Sequence, residues 1–150
     1  MSRVRVKVQG LRELDRALQE LKVSTARNVG RRTLRDALEP MAQAARQNVA
    51  QDRTGELRES IGVTTGRPRG RGYRRQDRIE AHMGPGQQPQ GIQEEFGNRK
   101  QSPRPFMRPA WEAGKEQLLE DVKTNLATHI DKATKRAARK AARQGTKGGQ

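Results

Sequence analysis

Two histidines, one pair of adjacent carboxylates and a run of arginines are the side chains of this sequence best suited to chemistry. His82 and His129 are the only histidines and lie far apart in the chain. Neither stands in a metal-ligand spacing such as His-Glu-x-x-His, and the sequence holds no cysteine to complete a ligand set. Such histidines are expected to be packed or solvated rather than catalytic. Glu94 and Glu95 are neighbours, and on an extended segment their carboxylates point to opposite faces, whereas a shared acid–base pair must converge. A surface or capping role follows for them. Gly70 and Gly72 sit among arginines with no Lys-Ser/Thr ending and no following helix, so they do not make a phosphate cradle. No catalytic residue, metal ligand or cofactor is assigned, and the chain reads as a non-enzymatic protein.

The arginine run is the strongest chemical signal left. From Gly66 to Arg75 the chain carries five arginines (Arg67, Arg69, Arg71, Arg74 and Arg75), three glycines and Tyr73. A flexible basic loop of this kind suits single-stranded nucleic acid, which is bound by charge and stacking. It has one aromatic where stacking binders interleave several, and it suits an acidic protein surface equally well. A basic nucleic-acid-binding accessory protein therefore stands as the alternative reading.

Whatever these residues do, a small scaffold must position them. At 150 residues, with 31% hydrophobic, 3% aromatic and 33% charged side chains, the chain can build one modest core. A net charge of +15 implies a polyanionic or acidic neighbour. No apolar run approaches the roughly 18–20 residues of a membrane span, and the opening residues lack a signal-peptide core, so a soluble protein with no membrane partner is expected.

Residues 3–8 alternate charged side chains with Val4, Val6 and Val8, the period of a strand. Leu11, Leu14, Leu18 and Leu21 recur at helical spacing and predict a short amphipathic helix over residues 11–22. A second, longer helix is expected to start at a Ser24 or Thr25 cap and to reach about residue 51, with Leu34, Leu38, Met41, Ala45 and Val49 on one face. Pro40 predicts a kink or two abutting helices near residue 39. Thr54-Gly55 marks a turn that stops this helix, after which Leu57 and Ile61 return toward the core. Residues 57–65 and 78–83 read as antiparallel neighbours, and residues 84–91 and 98–104 as irregular. From Pro109 a last helix carries Trp111, Leu118, Val122, Leu126 and Ile130 on one stripe. Past Lys132 its only apolar side chains are alanines among Lys132, Lys135, Arg136, Arg139, Lys140 and Arg143, so this stretch is expected to fray or need a partner, and residues 145–150 to form a tail. The predicted class is α+β, a small antiparallel sheet packed on a long kinked helix and a C-terminal helix. Residues 1–130 would form the domain and residues 131–150 a basic helical extension.

Taken in order, several of these elements resemble those of the phage tail-component proteins typified by gene product ten of a lambdoid phage. They are the opening strand followed by Gly10-Leu11-Arg-Glu-Leu14, the helix ending near Ala44-Ala45, then Thr54-Gly55-Glu-Leu57-Arg-Glu-Ser60-Ile61, then Glu95-Phe96-Gly97, then Pro105-Phe106-Met-Arg108-Pro109-Ala110. Asn98 stands where a threonine commonly follows the Glu-Phe-Gly element. The resemblance implies a structural virion protein of the neck, acting in tail completion or head–tail joining and located in the virion after assembly in the host cytoplasm. It also implies a homo-oligomeric ring, six-fold in preference to twelve-fold, with the connector or stopper, the tail terminator and the tail tube as partners, and from their charge the basic loops and tail are expected to engage acidic surfaces of such rings or DNA passing through the channel. Thr54, Gly55, Leu57, Ile61, Glu95, Phe96, Gly97, Pro105, Phe106, Arg108, Pro109 and Trp111 become the structural or interface candidates. Phe96 and Phe106 are expected to anchor their loops to the core.

Overall fold

In the computed structural model, residues 10–50, 52–66 and 79–147 are described. Among them five helices and two short strands follow in the order α1 (Leu11–Gln19), α2 (Val23–Asn48), α3 (Glu56–Ser60), β1 (Gly62–Thr64), β2 (His82–Gly84), α4 (Pro89–Phe96) and α5 (Met107–Lys147). The class is α+β, as the sequence predicts. The expected strand at residues 3–8 and the arginine loop centred on residues 67–75 lie outside the described residues.

The fold is organised by α2 against α5. Followed backwards along α2, Asn48, Met41 and Asp36 meet Phe106, Gly114 and His129, so the two helices run antiparallel. Small side chains make the close approach feasible. Val29, Thr33, Ala37, Met41 and Ala45 repeat every four residues and are all buried, joined by Ala42. Leu34 and Leu38, expected on the buried face, lie half-buried on its flank. The core proper gathers Ala42, Ala45, Val49, Leu57, Ile61, Phe106 and Ala110, with Val63, Met83 and Met107 packed against it. Phe106, Leu57 and Ile61 are its largest fully buried side chains.

Several local expectations are corrected. A single helix runs through Pro40, which is exposed; two abutting helices are not formed. The helix starts at Val23 after Lys22, with no side-chain cap from Ser24 or Thr25. It ends at Asn48, before Thr54-Gly55, and α1 ends at Gln19. Gly55, at φ +80°, instead opens α3. Asp52 organises that start, its carboxylate accepting the amides of Gly55 (2.9 Å) and Arg58 (2.7 Å). The Arg58 guanidinium returns to the carbonyl of Val49 at 2.9 Å and closes the turn. Residues 89–91, read as irregular, form the first turn of α4, where Pro89 loses nothing by lacking a donor.

The antiparallel pairing is as expected: Gly62, Val63 and Thr64 face Gly84, Met83 and His82. The ribbon is held to α2 through Arg46, which donates to the carbonyl of Ile61 (2.8 Å) and to Glu39 (2.9 Å). The last helix begins two residues before Pro109 and continues through residues 145–147, read as tail, to Lys147. Among its described side chains the last buried one is Ile130, and residues 134–143 are exposed throughout.

Candidate functional site

The two sequence elements Glu95-Phe96-Gly97 and Pro105-Phe106-Met-Arg108-Pro109-Ala110 fold into one structure. Glu94 and Glu95 sit on the last turn of α4, not on an extended segment, and both are buried. They do separate jobs. Glu94 holds the connecting loop, its side chain accepting from the Gln101 amide (2.7 Å) and its carbonyl from the Arg104 N–H (2.6 Å). Glu95 reaches the start of α5, where helix amides have no intrahelical partner. Its carboxylate accepts the N–H groups of Phe106 (2.8 Å), Met107 (2.9 Å) and Arg108 (3.1 Å) and the Arg108 Nε (3.0 Å). A second Arg108 nitrogen donates to the Glu95 carbonyl at 2.8 Å, so the pairing is two-pronged.

Burial alone would raise the Glu95 carboxyl. The amides of Met107 and Phe106, then Arg108, outweigh it and hold the group below its ordinary value of 4.5. The negative charge also lies at the positive end of the α5 dipole. Glu95 is thus a cap supplied from another element.

Gly97 makes the geometry feasible. Its φ of +75° with ψ 178° is open only to glycine, and a Cβ there would lie 2.8 Å from both the Gln101 carbonyl and the Pro103 nitrogen. Asn98 and Gln101 then pair across the loop. Phe106 inserts into the core at 1% exposure and Ala110 at 2%. Pro109 falls in the first turn of α5 and is exposed, as is Pro105.

Two expectations about aromatic side chains are overturned. Phe96 is 65% exposed rather than anchored in the core. The α4 turn that points Glu94 and Glu95 inward directs Phe96 outward, and the Arg108 guanidinium lies 5.4 Å from its ring centroid. Trp111, placed on the core stripe by its spacing from Leu118, is 47% exposed. Near the start of α5 the covered face is set by Ala110 and Gly114, one helical step away from Trp111, with Met41 filling the space beside Gly114. Trp111 and Arg108 instead line an open groove of about 290 Å³ with Leu38, Ala81, Met83 and Met107. Arg108 therefore joins the Phe96 ring to this groove, giving a patch of aromatic, methionine and arginine side chains around a rigidly held helix start.

This geometry meets an independent comparison with known families. Residues 12–96, more than half of the chain, match the family model described as "Bacteriophage HK97-gp10, putative tail-component". The chain belongs to this family. No curated protein and no solved structure gives a significant match. Membership makes the chain a phage tail component of the virion, from a structural family whose members engage other tail and neck proteins. The matched stretch of this tail component ends at Phe96, so the capping glutamate lies inside it and its partners at the start of α5 lie beyond.

Of the candidates read from the sequence, Leu57 (0% exposed), Ile61 and Phe106 belong to the core, while Glu95, Gly97, Arg108 and Pro109 form the helix start. Thr54 and Gly55 lie apart at the α3 turn, where the Thr54 hydroxyl accepts the Glu56 amide at 3.4 Å. Asp52, Arg46 and Arg58 were missed. Asp52 had a readable signal, an aspartate three residues before a turn glycine, which commonly folds back onto local amides. Among the described residues no cluster of His, Asp and Glu could hold a metal, and no helix is long and apolar enough to cross a membrane. His129 instead pairs with Asp36 at 2.7 Å, tying α5 to α2.

Proposed function

We propose that this tail component is a non-enzymatic neck protein that assembles into a homo-oligomeric ring, with six copies preferred, joining the tail tube to the head connector. The observation that carries the reading is the exposed patch of Phe96, Arg108, Trp111 and the methionine-lined groove beside it, on a member of a tail-component family. Aromatic, methionine and arginine side chains are the types enriched where protein surfaces meet, and a site fixed on a capped helix loses little freedom when covered. A second copy of the chain is the proposed occupant, through a head-to-tail contact of the kind that closes rings. In this reading the arginines at residues 67–75 engage acidic surfaces of adjoining rings, such as the stopper or terminator, or DNA in the channel.

The native mass of nuclease-treated protein, measured by light scattering at low and high salt, tests the reading. Six copies place the ring on the tail side and twelve on the head side. A monomer that changes mass only when nucleic acid is added would favour the accessory-protein alternative, for which the net charge of +15 is the supporting observation.

A further inference from the structure

Beyond Ile130, α5 leaves the core, and after the half-buried Ala133 its residues 134–143 are exposed. Its cations are Lys132, Lys135, Arg136, Arg139, Lys140 and Arg143, and all six are exposed. Their intervals of three and four residues put them on a single face, because an α-helix turns about 100° per residue. Thr134, Ala137, Ala138 and Ala141 fall on the opposite face. At about 1.5 Å rise per residue, the cationic row is about 17 Å long. Asp131 is the single acidic residue in this stretch and pairs with Lys135 at 2.8 Å; the other five cations make no ion pair among the described residues.

We propose that this face of α5 is a binding site for the phosphate backbone of duplex DNA. A protein interface draws on apolar or aromatic anchors at its centre, and residues 131–143 offer nothing larger than alanine. Single-stranded nucleic acid is gripped by stacking, and the stretch contains no aromatic ring. A straight row of cations without anchors or stacking platforms fits a regular line of phosphates, which gives binding independent of sequence and steeply dependent on salt. The site rests on the charge geometry of one helix and does not require the chain to close into a ring.

The experiment titrates the full-length chain into a fluorescent 20-base-pair duplex across a salt series. Two variants accompany it: Lys132, Lys135, Arg136, Arg139, Lys140 and Arg143 all→Gln, which keeps helix propensity, and Arg67, Arg69, Arg71, Arg74 and Arg75 all→Ser. The wild type is expected to bind with a log–log salt slope of about −4 to −5, a loss of roughly 300- to 1000-fold between 50 and 200 mM salt. The helix variant should lose most of that affinity and slope, with its circular dichroism retained, while the loop variant keeps the larger share. Equal binding by the helix variant, loss confined to the loop variant, or wild-type binding to polyglutamate but not to the duplex would each overturn the assignment. Light scattering on the same samples separates this result from the ring, since either can fail alone.

Discussion

Glu95 shows how one side chain can link two segments that are separate in the sequence. Its carboxylate takes three amides and a guanidinium, so Glu95→Ala should remove roughly 2–3 kcal/mol of stability, read by chemical denaturation, because those donors lose their partner together. Glu95→Gln keeps an acceptor but loses the charge. The folded-state carboxyl is held below 4.5, so its contribution is complete above the ordinary carboxylate range and disappears as pH falls through the lowered value. Wild-type stability should therefore drop more steeply on acidification than that of Glu95→Gln. Two of the four described positive-φ glycines, Gly55 and Gly97, divide in the same quantitative way. At Gly55 nothing lies within 4 Å of a built Cβ, so Gly55→Ala carries only the left-handed backbone cost, roughly 1–2 kcal/mol. At Gly97 the strain of a glycine-only conformation adds to backbone clashes, so Gly97→Ala should cost more than Gly55→Ala, and denaturation of the two variants side by side checks the order.

At the scale of elements, the sequence was most legible where periodicity meets burial. The antiparallel ribbon, the leucine helix and the course of the last helix follow from alternation and spacing, as does the burial of Leu57 and Ile61. Of the two outcomes expected at Pro40, two abutting helices do not form, because the proline lies on the exposed face of a helix whose buried face is continuous from Val29 to Ala45, and tertiary packing outweighs one lost hydrogen bond. The capping role expected of Glu94 and Glu95 holds for Glu95, but their placement on an extended segment does not, because Pro89 and Gly91 disguise the short helix α4, whose burial depends on contacts outside it. The Trp111 error has a similar cause. Spacing names a stripe but not the azimuth at which a partner covers it, and here Ala110 and Gly114 set that azimuth. The proposed boundary near residue 130 is an element-scale matter as well. With Ile130 the last buried residue among the described side chains of α5, removing residues 134–150 should leave cooperative thermal unfolding with a midpoint within a few degrees of the full chain. A large fall in the midpoint would show that the extension belongs to the fold.

At the scale of the whole molecule, a small core closes between two antiparallel helices while the functional potential lies outside it. One end presents the Phe96–Arg108–Trp111 patch and the far end of α5 presents cations. The family resemblance was readable from ordered motifs, and the match over residues 12–96 bears it out. The exposed patch was not readable, because an isolated phenylalanine or tryptophan in a sequence poor in aromatics looks like core until neighbouring side chains are placed. The proposed head-to-tail contact makes this patch the junction between copies of the chain. Its most direct test is the native mass of the wild type beside the double variant Phe96→Ser, Trp111→Ser, by light scattering at matched concentration. A closed oligomer of about six wild-type copies, with the variant monomeric and its thermal unfolding unchanged, is the predicted result. Equal masses for the two proteins, whether both assembled or both monomeric, would contradict the claim.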